Sequence, residues 1–145
     1  MPFDRRSLSR QHDASVLVLA LVAVGAVTVV LSAVLHLYLW GRGGGLGYRD
    51  IHTVGPLFLV QGIVGCILGL AMFVLRRAVT TAIGAMYMAA SLGGLLLSLN
   101  GGLFGYDESL DADYVKVTLA VEIIGLVACL LALATTFARH EAHTT

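Results

Sequence analysis

One glutamate inside an apolar segment is the residue of this sequence best suited to chemistry. Glu122 follows Val115 by seven positions, in a run that is otherwise almost free of charge. Because a helix rises about 1.5 Å per residue, its carboxyl would lie about 10 Å along that helix. An acid at such depth in lipid pairs, takes up a proton or lines a watery cavity, and it commonly marks a proton or ion pathway. The alternative is a hydrogen-bonded glutamate that only locks two helices together.

Two further residues extend this candidate intramembrane polar site. Gln61 lies in an earlier apolar segment, and His36 lies four residues before Trp40 near the end of the first one. We expect His36 to hydrogen-bond across the bundle with Glu122 or Gln61. A pair formed by His36 and Glu122 would be suited to handling protons.

His52 supports a different hypothesis, because it begins the second apolar segment at a depth similar to that of His36. Two imidazoles on adjacent helices are able to ligate haem, which would give a haem or quinone redox protein. The sequence contains no CxxCH motif and no carboxylate spaced as in a metal motif, so we predict no metal site and no resident cofactor. His52, Tyr48 and Tyr106 are also candidates for ligand contacts at the outer face.

The composition indicates that these residues lie in a lipid environment. Of 145 residues, 58% are hydrophobic and 12% are charged, an imbalance that a soluble domain could not bury. Because lipid offers the backbone no hydrogen-bond partners, about 20 apolar residues cross it as a helix. We therefore predict an all-α bundle that forms a single membrane domain in contact with the lipid bilayer. The predicted transmembrane segments are 15–40, 51–75, 79–99 and 115–137.

Basic residues predict the orientation, since cytoplasmic loops are enriched in arginine and lysine. One side of the predicted bundle carries most of them, whereas the other carries acids between Asp107 and Asp113. The basic side holds Arg5, Arg6, Arg10, Arg76, Arg77 and Arg139. We expect this side, with both termini, to face the cytoplasm.

Two predicted outer loops have similar sequences, which indicates an internal duplication. GGLGYRD at 44–50 resembles GGLFGYD at 101–107, and the likeness continues into the following segments, where Gln61 aligns with Glu122. Such a repeat would give two parallel helical hairpins related by a pseudo-twofold axis along the membrane normal. Gln61 and Glu122 would then face a shared axis. The alternative is chance similarity between glycine-rich loops.

Small residues recur at helical spacing in every segment. In lipid, packing rather than hydrophobicity drives helix association, and small side chains let backbones approach closely. We therefore expect these positions to face the interior of the bundle. The predicted packing glycines are Gly62, Gly65, Gly69, Gly84, Gly94 and Gly125.

The segment HLYLWGRGGGLGYRDIHTVGPLFLVQ from His36 to Gln61, together with GGLFGYDE and VEIIG, carries a resemblance. It resembles small, largely uncharacterised four-helix integral membrane proteins of high-GC Gram-positive bacteria. The resemblance implies a location in the bacterial cytoplasmic (inner) membrane, and it implies no activity. DoxX-like proteins are similar in size and topology, and no residue role follows from that likeness.

Three functions are compatible with these patterns. The first is a non-catalytic accessory or scaffold component of a membrane complex, whose partner is another membrane protein or a second copy of the chain. The second is a small proton-coupled transporter that uses Glu122 with Gln61 and His36. The third is the haem or quinone redox protein that uses His36 and His52. No residue pattern predicts catalysis, and none predicts nucleic-acid binding.

Overall fold

The described part of the protein folds into four long α-helices. The computed structural model describes residues 5–42 and 47–144, and all regular secondary structure in those ranges is helical. The helices are α1 (Arg5–Gly41), α2 (Val54–Leu75), α3 (Ala78–Leu99) and α4 (Val115–Thr144). The predicted all-α four-helix bundle is therefore confirmed.

Each helix contains a stretch that is long and apolar enough to cross a membrane. These stretches are Ser15–Gly41, Val54–Leu75, Ala78–Leu99 and Val115–Arg139. Large apolar side chains such as Ile67, Val74 and Met86 are exposed on the outside of the bundle, which is the reverse of a soluble surface. The fold is therefore that of a multi-pass membrane protein.

The helices alternate in direction, so the bundle has two distinct ends. We call the end with segments 47–53 and 100–114 the loop end, and the end with the tight connection at Arg76 and Arg77 the turn end. α1 packs most extensively against α2 and α4, whereas α2 and α3 touch much less although they are consecutive in the chain. Residues 43–46, which belong to the first of the two similar loops, lie outside the described residues.

The helix boundaries differ from the predicted segments for local reasons. α2 begins at Val54 rather than at Ile51, because the preceding Thr53 has a φ of 69° and interrupts the helix. Pro56 then lies in the first turn, where its missing N–H costs no hydrogen bond. α1 and α4 extend beyond the predicted segments at the turn end, since polar residues continue a helix that the apolar pattern alone does not reveal.

A dry apolar core fills the half of the bundle nearer the turn end. Met72 of α2, Met88 of α3 and Cys129 of α4 are fully buried in one cluster. Gly84 makes room for this cluster, because a Cβ built there would lie 2.6 Å from Met72 Sδ. The whole cluster consists of Ala26, Val29, Leu68, Met72, Ala85, Tyr87, Met88 and Cys129. These side chains separate the interior of the loop half from the turn end.

The predicted packing glycines of α2 lie where α1 approaches most closely. A Cβ built at Gly62 would lie 3.1 Å from the carbonyl oxygen of Ala33, and one at Gly69 would lie 3.2 Å from that of Ala26. These distances are too short for an ordinary side chain, so the two glycines allow the backbones to come together.

Two other predicted packing glycines behave differently from each other. A Cβ at Gly125 would lie 2.5 Å from both Met88 Cε and Thr28 Oγ1, so this glycine sits in a tight contact. A Cβ at Gly94 would meet only Leu103 Cδ2, at 3.7 Å, which is normal van der Waals contact. The prediction that Gly94 packs closely is therefore wrong, because the loop half of α3 is loosely covered.

Gly65 and Gly94 allow one chemical change to be compared in two environments. A Cβ at Gly65 would lie 2.7 Å from Ala33 Cβ and would also collide with the Tyr87 hydroxyl. We expect Gly65→Ala to lower the free energy of unfolding by about 1–3 kcal/mol. Gly94→Ala should leave it unchanged or raise it by up to about 1 kcal/mol, because alanine favours helix. Thermal unfolding in detergent, followed by circular dichroism, measures both, and equal losses would contradict the difference in packing.

Candidate functional site

A cavity of about 220 Å³ lies in the loop half of the bundle. All four helices contribute to its wall, and residues of both loop-end segments close it from above. Apolar side chains such as Leu39, Leu57 and Leu95 form much of the surface. The polar and aromatic hydroxyl-bearing residues that line it are His36, Tyr48, Gln61, Ser91, Ser98, Tyr106, Glu108, Thr118 and Glu122.

Glu122 is the most deeply buried of these residues, with an exposed fraction of 0%. Its Oε1 accepts a hydrogen bond from Ser32 Oγ of α1 at 3.4 Å and another from Ser91 Oγ of α3. One carboxyl oxygen therefore joins three helices, since Glu122 itself belongs to α4. Its other oxygen, Oε2, has no hydrogen-bond partner in the described part of the protein.

The unsatisfied polar atoms of the structure converge on this cavity. Besides Glu122 Oε2, the buried side-chain atoms without a partner among the described residues are Gln61 Nε2 and Thr118 Oγ1, and all three residues line the same space. Buried polar groups in proteins are nearly always hydrogen-bonded. All three unpartnered atoms thus belong to residues that surround one cavity.

The free oxygen of Glu122 needs a partner in either protonation state. If the carboxyl is neutral, a proton on Oε2 has no protein acceptor within reach among the described groups. If the carboxyl is ionised, both serine hydrogen bonds reach Oε1, and Oε2 has neither a donor nor a cation among the described groups. An isolated charge in the membrane interior is strongly unfavourable, so a partner for Oε2 would stabilise the ionised form.

His36 lies on the same cavity but does not bond Glu122 directly. It is 8% exposed, and its Nδ1 lies 2.8 Å from the carbonyl oxygen of Ser32. Since a carbonyl only accepts, Nδ1 carries the proton, and a neutral ring presents Nε2 as its acceptor. Ser32 thus links the two predicted residues, because its carbonyl accepts from His36 while its hydroxyl donates to Glu122.

Tyr87 lies on the turn-end side of the site, next to the lining residue Gln61 rather than in the wall itself. Its hydroxyl donates to the carbonyl oxygen of Gln61 at 3.0 Å, and its ring lies against Gly65, which has no side chain to obstruct it. Tyr87 also belongs to the buried apolar cluster of the turn half. The cavity is therefore closed toward the turn end.

One side of the cavity borders the surface between α2 and α3. Leu57 of α2 is 45% exposed and Ala90 of α3 is also exposed, and both line the cavity. The buried residues of α3 end at Met88, so its loop half covers the interior less completely. In a bilayer this boundary between α2 and α3 faces lipid.

Glu108 closes the cavity at the loop end, and sequence analysis did not single it out. Its Oε2 accepts from the Tyr48 hydroxyl at 2.5 Å and from the Tyr106 hydroxyl at 3.3 Å. Its backbone N–H donates to the carbonyl oxygen of Ser98 at 3.0 Å. The available signal was the tyrosine shared by the two similar loops, because Tyr48 and Tyr106 meet at this one carboxylate.

The aromatic rings around Glu108 form a packed layer. Tyr48 stacks on Phe58 with ring centroids 4.3 Å apart, and Tyr106 meets Tyr48 edge-on at 5.7 Å. His36 lies below this layer, with its ring 4.8 Å from that of Phe58. Burial, followed by the hydrogen bond to Glu108, raises the pKa of Tyr48 above its ordinary value. The phenol is therefore held in its neutral, hydrogen-bond-donating form.

His52 lies apart from this arrangement. Its side chain is exposed, its Nδ1 lies 3.0 Å from Thr53 Oγ1, and it is not among the residues that line the cavity. The redox hypothesis needs His36 and His52 at one site, and the fold does not provide this. Within residues 5–42 and 47–144, no group of three His, Cys, Asp or Glu residues is arranged to hold a metal ion.

The helices that carry Gln61 and Glu122 begin in the same way. Thr53 precedes α2 with a φ of 69°, and Tyr114 precedes α4 with a φ of 67°. Gln61 then follows the first residue of α2 by the same interval as Glu122 follows that of α4 (61 − 54 and 122 − 115). This correspondence supports the predicted duplication, and both residues line one cavity.

The cavity combines one buried acid with hydrogen-bonding groups and an apolar wall. Glu122 supplies the acid, Gln61 and Thr118 supply hydrogen-bonding groups, and apolar walls exclude bulk water. No protein-family model, curated protein or solved structure matches this chain.

The layer around Glu108 gives a pH-dependent prediction. Tyr48→Phe removes the short hydrogen bond to Glu108 and should lower the free energy of unfolding at neutral pH by about 1–2 kcal/mol. Because the folded protein raises the pKa of Tyr48, this stabilisation is complete below the ordinary tyrosine pKa of about 10 and is lost as the pH rises toward the folded value. The difference between wild type and Tyr48→Phe should therefore shrink above about pH 10.

Thermal unfolding in detergent as a function of pH measures this difference. Tyr106→Phe is the matched control, and it should cost less because its bond to Glu108 is longer. A difference between wild type and Tyr48→Phe that stays constant at alkaline pH would refute the role given to the phenol.

Proposed function

We propose that this protein is a small proton-coupled membrane carrier that binds one solute in the cavity. The observation that carries the proposal is the convergence of Gln61 Nε2, Thr118 Oγ1 and Glu122 Oε2, all without partners in the described chain, on one space. A helix bundle that needed only to pack would gain stability by satisfying or replacing these groups. Retaining them is favourable when a solute supplies the missing partners.

Glu122 is the proton-exchanging group of this proposal. A solute that binds Oε2 and a proton that binds Oε2 compete for the same atom, which is the simplest form of coupling. The other titratable groups that face the cavity or lie next to it are His36 on α1, Tyr48 and the pair Tyr106 and Glu108 in the loop-end segments, and Tyr87 on α3. Glu122 differs from Glu108 in having one oxygen with no partner among the described residues.

The closure of the cavity at one end supports a carrier rather than an open channel. Tyr87 and the cluster with Met72 and Met88 block passage toward the turn end. A carrier exposes its site to one side at a time, so a single closed barrier is expected in each state. The accessory-protein hypothesis accounts equally well for lipid-facing helices, but it gives no reason for polar atoms to converge.

We also propose that the turn end lies in the cytoplasm and the loop end outside, in a bacterial cytoplasmic membrane. The basic pair Arg76 and Arg77 marks the turn end, whereas the loop end carries the acids between Asp107 and Asp113. Short cytoplasmic loops are enriched in basic residues. In this orientation the cavity is nearer the outer face.

Proton exchange at Glu122 can be tested in liposomes that contain the full chain and a trapped pH-sensitive dye. Ammonium, carboxylate, amino-acid and sugar solutes are added outside in turn, and we expect one class to change the internal pH. Glu122→Gln should abolish this change, because an amide carries no exchangeable acid proton. Asp111→Asn is the matched control, since Asp111 is an exposed acid paired with Lys116, and it should transport normally.

A chemical label tests the same carboxyl without a solute. Dicyclohexylcarbodiimide enters lipid and reacts with protonated carboxyl groups, so it should label Glu122, and the labelling should slow as the pH rises. Mass spectrometry of peptides locates the label, which Glu122→Gln should remove and Asp111→Asn should not. If Glu122 stays unlabelled at every pH at which the protein is folded, and no solute moves protons, the accessory function is favoured and the carrier is rejected.

A further inference from the structure

We propose that the solute is an amphipathic organic monocation, which reaches the cavity sideways from the lipid between α2 and α3. The ligand would combine an ammonium head, a small apolar or aromatic body and a hydrogen-bond acceptor. This inference rests on the proposed carrier function and adds the substrate class and the route of entry.

The charges around the cavity select a cation. Glu122 and Glu108 both line it, from α4 and from the second loop-end segment, and no described lysine or arginine does so. Glu122 is 0% exposed, and its Oε2 lacks a partner among the described groups. An anion would meet like charge without a counter-ion, and a neutral molecule would leave uncompensated the carboxylate that forms when Glu122 releases its proton. A positive head group satisfies it.

The remaining wall selects an organic cation over an inorganic one. A bare metal cation binds six or more oxygens at sites built from carboxylates, carbonyls and water. Here the surface is largely apolar, with side chains such as Leu39, Leu57 and Leu95, and the unpartnered atom of Gln61 is the donor Nε2. Such a surface accommodates the body of an organic ion, and the amide donates to an oxygen on it.

Aromatic rings line the cavity near its loop end. Tyr48 and Phe58 are stacked at 4.3 Å, Tyr106 adjoins them at 5.7 Å, and all three line the cavity. Ammonium groups are attracted to the faces of aromatic rings, with the largest effect where water is excluded. The hydroxyls of Tyr48 and Tyr106 both donate to the outer carboxylate, Glu108.

The route of entry follows from the exposed part of the wall. Leu57 and Ala90 line the cavity and are exposed on neighbouring helices, whereas Tyr87 lies on the turn-end side. In a bilayer that boundary faces acyl chains, so the solute would partition into lipid before binding. An amphipathic cation does this, and a fully polar solute does not.

The exchange is balanced in charge and atoms. The neutral Glu122 acid releases its proton to water as the cation binds, and the resulting carboxylate pairs with the ammonium head. No covalent bond to the solute forms or breaks. One proton is therefore released for each cation bound, and acidic pH should weaken binding because the proton competes.

Benzoylcholine is a suitable probe, because it has an aromatic body, an ester acceptor and an ammonium head. Two compounds keep its shape and change its charge, namely neutral 3,3-dimethylbutyl benzoate and anionic 2-sulfoethyl benzoate. With the full chain in lipid nanodiscs, unlabelled benzoylcholine should displace radiolabelled benzoylcholine, and the two analogues should not. A pH indicator in weak buffer should record one proton released per cation bound.

Four variants locate the binding. Glu122→Gln should weaken it by about 30-fold or more, the usual effect of removing one member of a buried charge pair, and should abolish proton release. Asp111→Asn should keep binding and proton release, because Asp111 is an exposed acid that does not line the cavity. Gly94→Leu places a side chain in the cavity and should block binding, whereas Gly93→Leu is the matched control, because Gly93 does not line the cavity and has open space around it.

Each result decides the proposal. Displacement by benzoylcholine alone, lost in Glu122→Gln and Gly94→Leu, supports it. Displacement by the neutral or anionic analogue as well, or binding that Glu122→Gln leaves intact, overturns the cation class. If benzoylcholine does not bind while another solute still moves protons through Glu122 in liposomes, the cation class fails and the carrier function stands. If carbodiimide labelling and solute-driven proton movement are also absent, both proposals fail.

Discussion

The fold depends on the hydrogen bonds that hold one carboxyl group inside a bundle of lipid-facing helices. Glu122 is fully buried, and its Oε1 accepts hydrogen bonds from serines on two other helices. This contact ties α1, α3 and α4 together in the loop half of the bundle. Because only Oε1 accepts these hydrogen bonds, the carboxyl stabilises the bundle through one oxygen. Its other oxygen, Oε2, has no partner among the described groups.

The interior is packed differently in the two halves of the bundle. Toward the turn end, Gly69 of α2 admits the α1 backbone and Gly84 admits Met72, so apolar side chains fill the interior. Toward the loop end, α3 has no buried residue beyond Met88, and its Gly94 meets little. Helices that are held tightly at one end and loosely at the other enclose a space, and that space is the cavity.

The loop-end segments are part of the site rather than simple connections. Glu108 accepts from Tyr48 and Tyr106, which come from different segments, and its backbone is fixed to Ser98 of α3. A neutral phenol donates a hydrogen bond to this carboxylate. Burial raises the pKa of Tyr48, so its hydroxyl keeps the proton that it donates. The aromatic layer thus covers the cavity with groups that are apolar on their faces and hydrogen-bonding at their tips.

The sequence by itself determined that lipid surrounds the chain, that the chain forms helices, and which residues are energetically most costly to place there. Apolar runs long enough for lipid leave the backbone no alternative to helix, and an acid inside such a run is conspicuous whatever the fold. The sequence also pointed to Gln61, His36, Tyr48 and Tyr106, and all of them line the cavity with Glu122. The start of α2 was misplaced, since the positive φ of Thr53 has no signal in the apolar pattern.

Tertiary structure alone decided which groups meet. His36 bonds the carbonyl of Ser32 instead of Glu122, and His52 stays outside the cavity, because small rotations of a helix about its axis redirect its side chains without changing the sequence pattern. Glu108 belongs to the site because its loop lies over the loop end of the bundle. The choice between tight contact and open space, at Gly65 and Gly94 for example, depends on the distance between helices, which residue spacing along one chain does not encode.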